Sequence, residues 1–392
     1  MNKPASNILS VFYTATFFIY FNLNFFDRSV ANIFLIITLL LCLLDYKNLY
    51  LTLKLNTSLV RIIVFFSIYI SLLGIYHGSP ISELDNYYRF LLLLPILLIS
   101  LSEPRMIMLL STSAFLGLLH AIFNDALYGI DQYPINVYRY PGTSNTAITY
   151  SHMCATMLMI STYYIFYKNN KSLFLKLSAL IFLILFLLTE TRGPIIGIIV
   201  ALCYLAYSIK FNSLNKANFK LPLITIFIFL LVIFTTPNPI GEGLKSAKSI
   251  NFSDPVSIEN LSLRMRTIYY NFGVEKIRDN YYLGIGPQNV ENMMSEYITR
   301  LDIENIDSVD HVHNEFLDMI LKLGIASIIL LLLLYLYITN IKNLDNRVLM
   351  NICLIMLVCS QLTQSQFAHH QSITFFIVLL YLLREKVCSS NR

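Results

Sequence analysis

Residues 177–199 read Leu-Ser-Ala-Leu-Ile-Phe-Leu-Ile-Leu-Phe-Leu-Leu-Thr-Glu-Thr-Arg-Gly-Pro-Ile-Ile-Gly-Ile-Ile, two apolar runs joined by a short polar turn. Each run belongs to a longer apolar segment, 172–189 or 194–209. An α-helix needs about 20 apolar residues to cross a hydrocarbon core of ~30 Å, and both segments approach that length. The pattern predicts two helices that cross a membrane in opposite directions.

Similar runs occur along the whole chain. Of 392 residues, 56% are hydrophobic and 13% are charged, whereas soluble domains contain about 25% charged residues. A single soluble core is therefore excluded. The sequence predicts an all-α integral membrane protein with about twelve transmembrane helices. The predicted spans are 8–26, 30–45, 59–76, 88–102, 106–127, 148–167, 172–189, 194–209, 221–236, 315–339, 348–367 and 371–384.

The orientation of these spans follows from the positions of lysine and arginine, which concentrate in cytoplasmic connections. With the N-terminus in the cytoplasm, the short outer connections carry only Arg28, Arg89, Arg139 and Arg192. Both termini are therefore predicted to be cytoplasmic. The inner segments carry Lys3, Lys47, Lys54, Arg61, Arg105, Lys168, Lys171, Lys176, Lys210, Lys216, Lys220, Lys342, Arg347, Arg384, Lys386 and Arg392.

The chain divides into three predicted parts. Residues 1–236 hold spans 1 to 9, and residues 315–392 hold spans 10 to 12 and a cytoplasmic tail. Residues 237–314 form one large hydrophilic loop on the outer side. Apolar residues at helical spacing predict an amphipathic helix over 262–280 within it. Because charges at membrane depth are costly, ionisable groups at the outer ends of spans are the candidates for chemistry.

Three groups of outer residues qualify. Arg192 carries a planar guanidinium that suits a phosphate or pyrophosphate; a structural pair with Glu190 or contact with lipid headgroups is the alternative. Arg264 and Arg266 lie two apart, so on a helix they point to different faces, and both could simply decorate a surface. His313 can act as a general base, or cap a helix or contact headgroups instead.

His311 and His313 could also form a metal pair, but two ligands without a third are a weak metal signal, and we predict no metal and no cofactor. Asp307 or Asp310 could orient one imidazole. No glycine-rich phosphate loop occurs, so chemistry on soluble nucleotide sugars is unsupported. The minor candidates are mostly interfacial: Arg89, Arg139, His369 and His370.

At these residues the sequence resembles the O-antigen ligase and polymerase superfamily of bacterial envelope enzymes. The family motif at the end of the loop is matched by His313-Asn314, nine residues, Gly324 and two residues, and departs at Ser327, where the family has Gly, Thr or Tyr. Three further elements look like the ligases: Thr189-Glu-Thr-Arg192, the series Ser262, Arg266 and Tyr270, and Leu283-Gly-Ile-Gly286.

The resemblance implies an O-antigen ligase in the bacterial inner membrane that acts at the periplasmic face. It implies transfer of O-antigen from undecaprenyl pyrophosphate to the lipid A-core oligosaccharide, with inversion and without a metal. Arg192 and Arg266 would hold the pyrophosphate, and His313 would deprotonate the acceptor. We predict substrate-binding positions at Arg264, His311, Asn314, Arg139, Arg89 and Tyr270.

Several alternatives remain open on the sequence. An O-antigen or capsule polymerase and a protein O-oligosaccharyltransferase would use the same donor with another acceptor. A lipid-glycan flippase or another transporter belongs to a different class. Transporters tend to carry ionisable residues at mid-membrane, whereas here the charges lie at outer ends, with Lys322 as the exception.

Overall fold

The computed structural model describes residues 3–128, 142–143, 147–212, 255–258, 261–301, 309–341 and 343–384. Within these ranges the regular structure is helical and contains no β-strand, which confirms the all-α fold. The predicted ninth span at 221–236 and Arg139 lie outside the described residues. The α-helices are α1 Lys3–Leu23, α2 Arg28–Leu44, α3 Tyr46–Leu55, α4 Thr57–His77, α5 Ile81–Leu92, α6 Glu103–Tyr128, α7 Ala147–Phe166, α8 Leu173–Leu188, α9 Gly193–Asn212, α10 Leu261–Asn280, α11 Val290–Arg300, α12 Glu315–Leu323, α13 Ile325–Thr339, α14 Leu344–Thr363 and α15 His370–Leu383.

Several helices are suited to a membrane by length and composition. In the described part of the chain, four are long and apolar enough to cross it: α4, the first 21 residues of α6, most of α9, and α14. Helices α2 and α3 add a fifth span if they are counted together, although their axes differ by 88°. Shorter apolar helices lie at 8–23, α8, α13 and α15. The chain is thus a membrane protein, while the count of twelve spans stays a prediction.

Two predicted spans differ from the observed helices. The run 88–102 is not one helix, because α5 ends at Leu92 and a 3₁₀ turn follows at Leu94–Leu98. Pro95 in this turn lacks an amide hydrogen and disfavours the helical conformation of the residue before it. The run 315–339 is divided at Gly324, which has a φ of 75°. Helix α13 therefore holds the apolar part of the predicted span, and α12 is a separate short helix before it.

The helices pack around two central elements. Most side chains of α7 and nearly all of α15 are buried, as expected for helices that are surrounded by others. Aromatic rings fill the bundle core, with Phe25 in contact with Phe182 and Phe375 at centroid distances of 5.6 and 6.4 Å. The buried ends of α7 and α15 therefore lie inside the bundle, next to the turns that carry the candidate residues.

A second, smaller core lies outside this bundle. It is formed by buried side chains of α10, α11, residues 309–314 and α12, among them Phe272, Met294, Val312 and Leu321. We call these four segments the loop layer. Because its apolar side chains pack on one another, the layer holds its segments in a fixed arrangement relative to one another.

The Leu283–Gly286 turn is joined to the end of α12 by backbone hydrogen bonds. The amide of Ile285 donates to the Leu321 carbonyl at 2.7 Å, and the amide of Gly286 donates to the Lys322 carbonyl at 3.1 Å. The last carbonyls of a helix have no hydrogen-bond partners within it. The amides of the Leu283–Gly286 turn act as those partners for α12. The Tyr69 hydroxyl of α4 donates to the Leu323 carbonyl at 2.6 Å and ties the same point to the bundle.

Candidate functional site

His313 stands directly before α12, in the loop layer. Its φ of 56° is in the left-handed region, which non-glycine residues adopt at some cost and which is found often at functional sites. The side chain is half-buried, and its ring lies 5.5 Å from the ring of Tyr269. The Tyr270 hydroxyl donates to the His313 carbonyl at 3.3 Å. Helix α10 thus holds both the backbone and the ring of His313.

Gln364 bridges His313 to a second histidine. The Nδ1 atom of His313 lies 2.9 Å from Gln364 Oε1, and Gln364 Nε2 lies 2.5 Å from His369 Nε2. An amide oxygen only accepts, so in this orientation Nδ1 of His313 carries the proton. The Nε2 atom of His313 then has a free lone pair, the protonation state that a general base needs.

His311 adds a third imidazole to the group. Its Nδ1 lies 2.7 Å from Asp310 Oδ1, and this hydrogen bond is the main cause that holds the pKa of Asp310 well below its usual range. The ring centroid of His311 is 4.4 Å from that of His313 and 5.7 Å from that of His369. No set of three potential ligands among the described residues is arranged to hold a metal ion.

The environment keeps His313 uncharged. Burial, followed by the charge of His311 and the smaller effects of Arg266 and His369, lowers the pKa of His313 to about 4, while the hydrogen bond to Gln364 opposes the shift. Burial likewise lowers the pKa of His369 to about 4. A neutral imidazole that can accept a proton is therefore present at neutral pH.

Helix α10 places its two arginines differently, as their spacing predicted. The charge of Arg266 reaches both His313 and Tyr270, where it opposes the burial that raises the pKa of the phenol. Arg264 instead donates from Nε to the Ile258 carbonyl at 2.7 Å. Arg266 is thus the arginine on the histidine side of the helix, and Arg264 braces the start of the layer.

The turn that holds Arg192 packs beside the same group. Buried Thr189 and Thr191 hydrogen-bond within the turn, and Arg192 itself is half-buried. A Cβ atom built on Gly193 would lie 2.8 Å from the Thr363 hydroxyl and 3.3 Å from His152 Nε2. Because Thr363 directly precedes Gln364, this contact brings the turn to the segment that holds His313.

Other predicted positions have partners within the protein. Arg89 bonds Asn86, Thr374 and His370 and pairs with Asp85 at 3.3 Å. Asn314 caps α12 by accepting from the Leu317 amide at 3.0 Å, and its nitrogen donates to the Leu362 carbonyl at 3.1 Å. These contacts give both side chains a structural role, and their predicted contact with substrate stays a prediction.

Sequence reasoning missed several buried polar residues around the histidines. Gln364 is one of them. Glu315 is fully buried and accepts from the Phe367 amide at 2.7 Å, and burial raises its pKa to about 8, with Asp318 adding to the shift. The signal was the run of glutamines at 361–371 between two apolar helices, because amides in such a place need hydrogen-bond partners.

Lys322 was predicted as an exception at membrane depth. It lies at the end of α12 in the loop layer and pairs with fully buried Asp318 at 2.8 Å. Burial opposes the charge, but Asp318, with Asp310 and Glu315, raises the pKa of Lys322 above its ordinary value. Asp318 also accepts from the Val312 amide at 3.1 Å. The pair therefore fixes the segment that carries both histidines.

Comparison with known families gives a match to the O-antigen ligase family over residues 177–332. The matched region contains Arg192, Arg266 and His313, together with the loop layer. Comparison with curated proteins gives no match. The resemblance inferred from the sequence is confirmed for this region, which is consistent with membership of the O-antigen ligase and polymerase superfamily.

Proposed function

We propose that the protein is an O-antigen ligase that transfers a glycan from undecaprenyl pyrophosphate to the lipid A-core oligosaccharide. The observation that carries the proposal is a neutral, oriented histidine beside Arg266 in the region that matches the family. Such an arrangement suits acid–base chemistry next to an anionic leaving group. The site would lie at the periplasmic face of the inner membrane, so that the lipid tail stays in the bilayer.

The reaction is a direct displacement at the anomeric carbon. His313 Nε2 takes the proton of the acceptor hydroxyl, and the acceptor oxygen bonds to the anomeric carbon. The bond from that carbon to the pyrophosphate oxygen breaks, and undecaprenyl pyrophosphate leaves with the electron pair. Attack on the face opposite the leaving group inverts the carbon. Arg266 and Arg192 offset the negative charge that develops on the pyrophosphate, and the sugar–pyrophosphate bond supplies the energy.

The test is the lipopolysaccharide pattern of a deletion strain that is complemented with wild-type protein or with His313→Ala, with membrane levels followed by immunoblot. In the strain with His313→Ala, we expect only core-length lipopolysaccharide, together with accumulated lipid-linked O-antigen. The matched control is His120→Ala on α6, where the imidazole packs on Phe26, and this variant should keep long chains. If the strain with His313→Ala makes long-chain lipopolysaccharide and the variant is present in the membrane at its normal level, His313 is not the base.

An O-antigen polymerase is the second candidate, because the family match covers both activities. A polymerase would use the same arginines and histidine with a second lipid-linked glycan as acceptor. The same experiment separates the two. If one repeat is still attached to the core and only chain length is lost, the acceptor is a lipid-linked glycan and the protein is a polymerase.

A further inference from the structure

A cleft of about 710 Å³ lies on the loop layer, away from His313. Its walls are the end of α4, the end of α10 with the Leu283–Gly286 turn, and one face of α11. The turn contacts the last residues of α12, whereas His313 precedes the first. Nine helical residues span about 14 Å at 1.5 Å per residue, so the cleft and the histidine lie at opposite ends of α12.

The cleft is held open by contacts between the bundle and the loop layer. His77 Nε2 at the end of α4 lies 2.9 Å from the Leu283 carbonyl, and the Gln288 amide donates to the His77 carbonyl. Asn289 donates to the Ile285 carbonyl at 2.7 Å. Since both walls are fixed by hydrogen bonds, the cleft is preformed, as binding sites for small molecules usually are.

The lining combines exposed rings with neutral and acidic polar groups. Tyr76 and Tyr282 are 67% and 78% exposed. Asn292, Glu296 and Asp279 offer amide and carboxylate oxygens at the same cleft. An aromatic face binds the apolar C–H face of a ring, and the oxygens accept hydrogen bonds from hydroxyl groups. This is the chemistry that recognises a polyhydroxylated sugar.

Charge separates this cleft from the candidate site. The described residues that line it include two carboxylates and no lysine or arginine, so the lining offers no cation that would bind a phosphate group. Arg266, in contrast, lies on the histidine side of α10. One end of α12 is therefore suited to an anion, and the other end to an uncharged glycan.

We propose that the cleft binds sugar residues of a glycan whose reacting end lies at His313. The inference rests on the proposed function and adds a substrate subsite to it. A chain that reaches across α12 would be held at both ends, which orients the reacting end and lowers the entropic cost of the displacement. The expected ligand is a neutral oligosaccharide.

The absence of tryptophan from the chain allows a clean binding test. We would replace Tyr282 by Trp in the detergent-purified full chain and follow its fluorescence during titration with free uncharged O-antigen repeat units. A separate titration would use core oligosaccharide released from lipopolysaccharide, whose acidic groups should weaken its binding. A saturable change is expected with at least one of them. Adding Asn292→Ala should raise the half-saturating concentration about tenfold, the loss expected for a hydrogen bond at the strong end of the usual range.

The matched control is Tyr46→Trp on α3, a ring that is 65% exposed and should not respond. The proposal is overturned if neither oligosaccharide changes the Tyr282→Trp signal, or if only lipid vesicles do, because Tyr282 would then be an interfacial anchor. Binding needs no turnover, so this result is independent of the transfer reaction. In transfer assays, Asn292→Ala should raise the KM for the bound glycan and leave kcat unchanged, whereas His313→Ala lowers kcat.

Discussion

The hydrogen bond between His313 and Gln364 fixes the tautomer of the proposed base. In serine protease triads, an aspartate orients the histidine and stabilises the imidazolium that forms. Gln364 orients His313 in the same way but is neutral, so it fixes the tautomer with little stabilisation of the charged ring. Burial is the main cause of the low pKa of His313, about 4, and the hydrogen bond to Gln364 only partly opposes that shift. The arrangement suits a base that must remain unprotonated beside the positive charge of Arg266.

Replacing Gln364 by Glu should move the pH profile of transfer. A carboxylate stabilises the protonated imidazole, so the pKa of His313 rises. Because the base works in its unprotonated form, activity is then lost at a higher pH, and we expect the acid limb of kcat/KM to shift upward by about one unit or more. The measurement is the transfer rate between pH 4 and pH 8. The control is Gln364→Leu, which removes the hydrogen bonds to His313 and His369 without adding a charge and should lower kcat without this upward shift. If the acid limb of Gln364→Glu does not move, Gln364 does not control the protonation of His313.

Replacing Lys322 by Met should destabilise the protein strongly. The change leaves the carboxylate of Asp318 buried without its cation, and loss of one partner of a buried pair costs about 3–5 kcal/mol. The comparison is Lys276→Met, whose pair with Glu275 is partly exposed and contributes at most about 1 kcal/mol. Urea unfolding in detergent measures both. If the two variants are equally stable, the buried pair of Lys322 and Asp318 contributes no more to stability than a partly exposed pair.

Local sequence predicted part of the candidate site. His313, Arg266 and Arg192 could be predicted because each is an ionisable residue at an outer position, within a short motif. Gln364 could not, since it meets His313 from 51 positions away and no local pattern encodes that pairing. The same holds for Glu315, whose partner is the backbone amide of Phe367.

At the scale of elements, α12 organises the site. Asn314 caps its first turn, and the Leu283–Gly286 turn binds its last carbonyls. Both ends are therefore tied to other segments, which compensates for the low intrinsic stability of a helix of only nine residues. The histidines before α12 inherit this rigidity, which the proposed base needs for its role.

Replacing Gly284 by Ala should loosen the loop layer. A Cβ atom there would lie 2.5 Å from the Lys322 backbone, at a φ of 72°. Gly78 is the matched control, because its φ of 67° imposes the same conformational strain with nothing within 4 Å. We expect Gly78→Ala to cost about 1–2 kcal/mol and Gly284→Ala to cost clearly more. Limited proteolysis of the loop layer measures the difference, and equal cleavage of both variants would mean that the close approach is unimportant.

The helices differ in how far they could be predicted. The apolar spacing over 262–280 predicted α10, and the structure confirms that helix. The run 315–339 was predicted as one span, but the backbone of Tyr282 approaches at Gly324, where a Cβ atom would lie 2.0 Å from its carbonyl oxygen. Hydropathy could not reveal this division, because the contact depends on a segment 42 positions earlier.

For the whole molecule, the distribution of lysine and arginine predicts a loop layer outside and both termini inside. In a background with its six cysteines replaced by alanine, Ser295→Cys on α11 should react with an impermeant maleimide in intact cells. Arg347→Cys at the start of α14 should react only after permeabilisation. Both side chains are exposed on the protein, so a difference in their labelling reports the side of the membrane and not burial. Labelling of both in intact cells, or of neither, would contradict the predicted orientation.

Two apolar helices are short: α13, which follows the loop layer, and α15, which follows His369. Helices α13 and α15 have 15 and 14 residues, or about 22 and 21 Å at 1.5 Å per residue. A typical hydrocarbon core is about 30 Å thick, and a bilayer accommodates such hydrophobic mismatch by thinning locally. Thinning on this side would lower the lipid–water boundary toward His313 and Gln364. The pyrophosphate of a polyprenyl carrier would then reach the site while its tail remains in the bilayer, and the short helices would help to present the proposed substrate.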